Sequence, residues 1–136
     1  MTIEYYGQPF TSAGKYSKYK VITDSKADEY TDRFHLFTSS EISYDDQNNL
    51  YSIDENNDAI NDYSFGDPDF NFRQFRSNLV VRWEYLPGSV VYLVWSQGRT
   101  SSASNGIFSY GSDMRELFDI VPNNILLIKL SYWFGL

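Results

Sequence analysis

The sequence predicts an all-β fold, an antiparallel meander of about four long strands. Three observations lead to this prediction: apolar and polar residues alternate with a period of two, a tight turn joins two of the segments, and long polar stretches separate the others. A chain of 136 residues with 42% hydrophobic residues is long enough for one domain. We therefore expect residues 1–136 to form a single β domain.

The first predicted strand covers residues 2–9, where Ile3, Tyr5 and Gly7 alternate with more polar positions. A long acidic segment follows, at about residues 10–72. Between Thr11 and Phe70 the chain carries 13 acidic and five basic side chains, whereas the remainder is nearly neutral. Because this segment is also rich in Asn and Ser, we expect it to be a long solvated loop.

The two middle strands are predicted at residues 73–85 and 89–98. In the first of them, one face carries Gln74, Arg76, Asn78, Val80, Arg82 and Glu84, and the other carries Phe75, Ser77, Leu79, Val81, Trp83 and Tyr85. The second is apolar on both faces. Pro87 and Gly88 between them suit a tight turn, so we expect these two strands to form a hairpin.

A second loop is expected at residues 99–123, followed by a last strand at residues 124–136. In that strand one face is apolar and the opposite face becomes more polar towards its end. The apolar face is formed by Leu126, Ile128, Leu130, Tyr132, Phe134 and Leu136.

The lengths of the connections indicate a particular kind of sheet. They run long, short and long, and bacterial transmembrane barrels combine short periplasmic turns with long outer loops. The predicted strands also reach the 9–11 residues that span a bilayer, with Tyr and Trp near their ends. We therefore predict the C-terminal part of a transmembrane β-barrel in the bacterial outer membrane, with two long extracellular loops. A soluble β-sandwich with the aromatic residues in its core is the alternative.

Four strands cannot close a barrel, because even the smallest barrels need about eight. We therefore expect this chain to be a fragment whose partners are the remaining strands of a longer barrel and the outer-membrane lipid. Met1 is not followed by a signal peptide, so the targeting signal is expected upstream.

Composition argues against several other functions. The net charge of −7 is opposite to what phosphate contacts require, so no nucleic-acid partner is expected. The chain has no Cys, which rules out disulfides and thiolate metal sites. Because we find no catalytic motif, we expect no enzymatic activity in this chain and name no catalytic residue.

Charged side chains on the polar faces of the predicted strands are candidates to face the barrel interior. They are Arg76, Arg82, Glu84 and Lys129. Such charges could steer anionic solutes through a lumen, or they could simply pair with one another across strands.

A weak calcium motif lies in the acidic segment. Asp54, Asn56, Asp58 and Asp62 occupy relative positions 1, 3, 5 and 9, a spacing that turns oxygen ligands inward in loops of the EF-hand type. The sixth position is Ala59 instead of Gly, and the twelfth lacks the usual Glu. A structural calcium site and a solvated acidic loop both remain open, and no other cofactor is expected.

The last residues of the chain resemble the C-terminal insertion signal that the outer-membrane barrel assembly machinery recognises. The pattern is carried by Lys129, Ser131, Phe134 and Leu136, with Leu136 in place of the usual final aromatic residue. The resemblance implies that this machinery is a partner during insertion.

The stretch DPDFNFRQFRSNLVVRWEYLPGSVVYLVWSQGR at Asp67–Arg99 resembles a family, together with IEYYGQPF near the start and LFDIVPNNILLIKLSYWFGL at the end. It is similar to the domain of unknown function 5916 family of Bacteroidetes-type bacteria. Its members are long proteins with an N-terminal carbohydrate-binding family 9-like domain and a C-terminal outer-membrane barrel. The resemblance implies a barrel end of unassigned activity, either structural or involved in transport or surface glycan handling.

The carbohydrate-binding part is missing here, so any glycan contact is expected through that absent domain. Two other functions remain open. The chain could be a soluble all-β carbohydrate-binding module, with Tyr5, Tyr6 and Trp95 as stacking platforms, or part of a glycan-acting hydrolase whose active domain lies elsewhere.

Overall fold

A computed structural model describes residues 1–135 of the chain. The structure is all-β with antiparallel strands, as the sequence predicts, and it also contains one short α-helix. The strands are β1 (Thr2–Gly14), β2 (Lys20–Ile22), β3 (Phe34–Leu36), β4 (Ile42–Asp45), β5 (Leu50–Ile53), β6 (Tyr63–Gly66), β7 (Phe70–Leu86), β8 (Ser89–Ala103) and β9 (Asn123–Ser131). The helix α1 covers Tyr110–Asp119, and a 3-10 helix covers Tyr30–Arg33.

The chain divides into two compact units. One unit contains the four long strands and α1, and the other consists of Gly14–Asp69 with Ser104–Gly106. The second unit folds because the acidic segment also supplies apolar and aromatic side chains in strand-forming clusters.

The long strands form one sheet in the order β1-β7-β8-β9. β7 and β8 make the predicted hairpin, which runs from Asn71 opposite Ala103 to Leu86 opposite Ser89. Gly88 closes the turn with φ of +79°, a conformation that glycine adopts without strain. β9 then pairs antiparallel with β8, so that β1 and β9 are the two edges of the sheet.

The strands differ from their predicted bounds. β1 and β8 continue to Gly14 and Ala103, well beyond the predicted ends at residues 9 and 98. Strands can extend past their apolar residues, because the backbone hydrogen bonds between strands also form where the side chains are polar. β9 ends at Ser131 because that residue pairs with Val90, next to the start of β8.

The predicted second loop contains the helix α1. Its first turn is stabilised by the carboxylate of Asp113, which accepts a hydrogen bond from the backbone N–H of Ser109 at 3.0 Å. Asp113 and Leu117 are buried one turn apart on the same side of the helix. The sequence did not predict this helix, because one short amphipathic face is a weak helix signal among the surrounding Gly, Ser and Asn residues.

The predicted acidic loop contains two small antiparallel sheets, one of β2 and β3 and the other of β4, β5 and β6. The Tyr51 ring contacts the rings of Tyr19, Tyr44 and Phe65, with centroid distances of 4.6, 4.5 and 5.3 Å. Ile53 is fully buried. Aromatic packing of this kind gives the acidic segment a small core of its own.

The carboxylate of Glu41 joins neighbouring segments of the second unit. It accepts hydrogen bonds from Nε2 of His35 at 2.9 Å and from the backbone N–H of Thr38 at 2.7 Å. The Thr38 hydroxyl donates a third bond at 2.9 Å. The Thr38 and His35 hydrogen bonds hold the pKa of Glu41 below its ordinary value, because they favour the ionised carboxylate.

This cluster predicts acid sensitivity of the second unit. A carboxyl group with a lowered folded pKa contributes its full stability above the ordinary pKa of a glutamate, and that contribution is lost as the pH falls through the lowered value. We expect the Thr38 amide to lose hydrogen-exchange protection as the pH falls below about 4. Glu41→Gln should weaken protection at neutral pH and flatten this pH dependence. Glu29→Gln, whose side chain makes no capping bond, is the control and should leave the profile unchanged.

Candidate functional site on the two faces of the long sheet

Nine apolar side chains form a regular array on one face of β7, β8 and β9, which we call the apolar grid. The strand register aligns them in three rows: Leu79–Trp95–Leu126, Val81–Leu93–Ile128 and Trp83–Val91–Leu130. The grid exists because residues two apart on a strand share a face, and all three strands keep that alternation in register.

The apolar grid is largely uncovered. The three β9 residues of the grid are 63–72% exposed, and Trp83 is 53% exposed. Soluble monomeric proteins rarely leave an apolar patch of this extent in water. The grid is therefore a candidate contact surface of this sheet.

Aromatic side chains with polar atoms stand at both ends of the apolar grid. At one end the indole N–H of Trp95 donates to Oδ1 of Asn124 at 3.0 Å. At the other end the rings of Trp83 and Tyr85 lie 6.1 Å apart. Such amphipathic rings prefer a boundary between apolar and wet surroundings.

The opposite face, which we call the polar face, carries the charged residues singled out from the sequence. Arg82, Tyr92 and Lys129 are register partners across β7, β8 and β9. Nε of Arg82 donates to the Tyr92 hydroxyl at 3.3 Å, and the Lys129 ammonium lies 6.0 Å from the Tyr92 ring centroid. Arg82 also pairs with Glu84 at 3.4 Å. Two of the four predicted interior charges, Arg82 and Lys129, therefore contact one tyrosine, and Glu84 is linked to them through Arg82.

Arg76, the fourth of these charges, lies on the same polar face six residues before Arg82. It is exposed. The structure thus places all four predicted residues on one side of the sheet.

A buried polar cluster holds α1 on the grid side of the sheet, beyond the end of the grid. The side chain of Arg73 is 4% exposed, and it donates from Nη1 to Glu116 while its Nε lies 3.8 Å from Oδ1 of Asp113. Asn71 donates to the same Asp113 oxygen at 2.9 Å. The hydrogen bond from Arg73 lowers the pKa of Glu116. Sequence reasoning missed this cluster, although Arg73 and Asn71 stand out as polar residues on the apolar side of the strand pattern.

Arg99 secures the other end of α1. Its guanidinium donates from Nη1 to the carbonyl oxygens of Phe118 and Ile120 and lies 4.9 Å from the Phe118 ring centroid. A cation at this position satisfies carbonyls that a helix leaves without intrahelical partners and complements the negative end of the helix dipole.

We predict that Arg73→Met releases α1 from the sheet. The substitution leaves the buried carboxylate of Asp113 without its cation, and breaking one partner of a buried pair costs about 3–5 kcal/mol. Hydrogen–deuterium exchange of residues 110–119 should become markedly faster. Arg115→Met changes an exposed residue of the same helix and is the matched control, so equal exchange in the two variants would contradict the role of Arg73.

The predicted calcium ligands form a network of turns. Asp54 accepts hydrogen bonds from the backbone N–H groups of Asp58 and Ala59 at 3.2 and 2.8 Å. Oδ2 of Asp62 accepts from the N–H of Glu55 at 2.8 Å. Among residues 1–135, no group of three or more His, Cys, Asp or Glu side chains is arranged to hold a metal ion. Asp54, Asn56, Asp58 and Asp62 are neighbours, but their oxygens shape the loop backbone.

The predicted insertion signal is described in part. Lys129 and Ser131 lie on β9, and the exposed Phe134 follows it. Leu136 lies outside the described residues. None of the helices in the described part of the chain has the length and apolar character needed to cross a membrane.

Comparison with known proteins identifies the family but not an activity. No curated protein and no solved structure gives a significant match. A family model described as a domain of unknown function (DUF5916) matches residues 23–135, which include most of the second unit and all of the hairpin, α1 and β9. The chain therefore belongs to the DUF5916 family.

Proposed function

We propose that this chain forms membrane-spanning strands of a bacterial outer-membrane β-barrel, with its apolar grid towards lipid and its polar face towards the interior. The observation that carries the proposal is the exposed apolar grid on β7, β8 and β9, opposite a face where charges pair around Tyr92. A transmembrane barrel needs this alternation of apolar and polar faces along each strand.

The connections between the strands support the same proposal. β7 and β8 are 17 and 15 residues long, which exceeds the 9–11 residues that cross a bilayer. A two-residue turn at Pro87 and Gly88 joins them at one end. The long segments, with the small sheets and with α1, connect to β7 and β8 at the opposite end, as outer loops of such barrels do.

The two edges of the sheet need further strands as partners. β1 and β9 each have a neighbour on one side only in this sheet. Strand edges in a bilayer must be paired, because lipid offers no hydrogen bonds to the backbone. In our proposal, the remaining strands of a longer barrel pair with these edges, and the assembly machinery contacts the terminal pattern of Lys129, Ser131 and Phe134 during insertion.

We assign the chain itself a structural role instead of an enzymatic one. The full-length protein would then act in transport or in surface glycan handling, with glycan binding by another domain. A soluble carbohydrate-binding module is less favoured, because its apolar face would need a covering layer, and the described chain leaves the grid exposed.

Two neighbouring residues of β8 test the proposal. Leu93 is the centre of the apolar grid, whereas Val94 lies on the polar face in register with Val80 and Leu127. In the full-length protein, Leu93→Arg should cost about 2–4 kcal/mol because it moves a charge into lipid, while Val94→Arg should cost less than about 1 kcal/mol. The measurement is the urea midpoint of protein folded into lipid vesicles, together with heat-modifiable migration on a gel.

Leu93→Met is the control for side-chain shape and should behave like the unchanged protein. Equal destabilisation by the two arginine variants would contradict the assignment of faces. A soluble product without heat-modifiable migration in the unchanged full-length protein would contradict the barrel itself.

A further inference from the structure

A groove of about 670 Å³ opens at the strands β7, β8 and β9. Gly98 lines it, with Arg76 and Asn123 as its register partners on either side. Asn78, Ser96 and Thr100 also line it. These six residues lie on the polar face of the sheet, whereas Arg99, which also lines the groove, lies on the grid side in register with Phe75.

The groove is open because Gly98 has no side chain. A Cβ atom placed on Gly98 would meet no other atom within 4 Å. The glycine has an ordinary strand conformation, so the backbone does not require it there. A glycine inside a strand often marks a place where a ligand approaches the backbone closely.

The charge of the groove is positive in a chain whose net charge is −7. Arg76 and Arg99 line it, and none of its lining residues is acidic. Arg99 is committed to the carbonyl oxygens after α1. Within residues 1–135, the Arg76 guanidinium makes no hydrogen bond or ion pair, unlike those of Arg73 and Arg82.

We infer that this groove binds a small soluble oxyanion, a carboxylate or a phosphate, with Arg76 as the charged donor. The planar guanidinium offers paired N–H donors that match either group. The amides of Asn78 and Asn123 and the hydroxyls of Ser96 and Thr100 supply further donors around it. The groove is formed by β7, β8 and β9 together with Ile120 and Val121, and it includes no residue of the apolar grid. The inference therefore does not depend on whether lipid covers the grid.

The test is calorimetric titration of the purified full-length protein with inorganic phosphate and, separately, with succinate, in phospholipid-free detergent. We expect saturable binding of at least one probe. Arg76→Gln should weaken that binding at least about tenfold, because it removes a charge-assisted hydrogen-bond donor. Gly98→Leu should abolish binding by filling the groove, and it should fold because a side chain has room there.

Arg115→Gln is the matched control, since it removes the same charge from an exposed site on α1 that does not line the groove. Its affinity for the probe should equal that of the unchanged protein. Equal weakening by Arg76→Gln and Arg115→Gln would overturn the inference in favour of a general charge effect. It would also be overturned if the folded protein bound neither probe saturably. A third contradicting result would be that Arg76→Gln reduces the amount of co-purified phospholipid and leaves the binding of phosphate and succinate unchanged.

Discussion

The register of the β7–β8–β9 ladder is the constraint on which the surfaces of the long sheet depend. Leu79, Trp95 and Leu126 are partners in one row, and every second row repeats the apolar pattern. A slip of one residue in either pairing would mix the two faces and bring charges into the grid. The turn at Pro87 and Gly88 fixes the register of the hairpin, and β9 follows it over nine paired positions. Local turn geometry thus controls a surface that extends across three strands.

The two faces place different demands on what surrounds the sheet. On the polar face, Arg82 pairs with Glu84 and donates to Tyr92, and the Lys129 ammonium lies near the same ring, so this face can meet water. The grid carries no charged side chain and needs an apolar partner. Helix α1 lies on the grid side, where Arg73 and Asp113 hold it beyond the apolar rows. A buried polar cluster is costly unless each charge is paired, so this cluster defines where α1 sits more than it adds stability.

Alternation made the long strands predictable, because a period of two that persists from Gln74 to Tyr85 fits a strand and does not fit a helix. It also placed Arg76, Arg82, Glu84 and Lys129 on one face from the sequence alone. The small sheets of the acidic segment were missed because strands of three or four residues show too little alternation to detect. Helix α1 depends on tertiary contacts, with Arg73 and Arg99 far away in sequence supplying its partners. For the same reason, the groove at Gly98 could not be predicted, since it needs the alignment of three strands.

Contact between lipid and the apolar grid can be tested with the tryptophans of the chain. Single-tryptophan variants of the full-length protein that keep only Trp83 or only Trp95 would be folded into vesicles containing lipids brominated at different depths. We predict strong quenching of both tryptophans by brominated acyl chains and weak quenching by aqueous acrylamide, because both lie in the grid near its ends. Emission that brominated lipids leave unchanged would contradict the account and assign the grid to contact with protein.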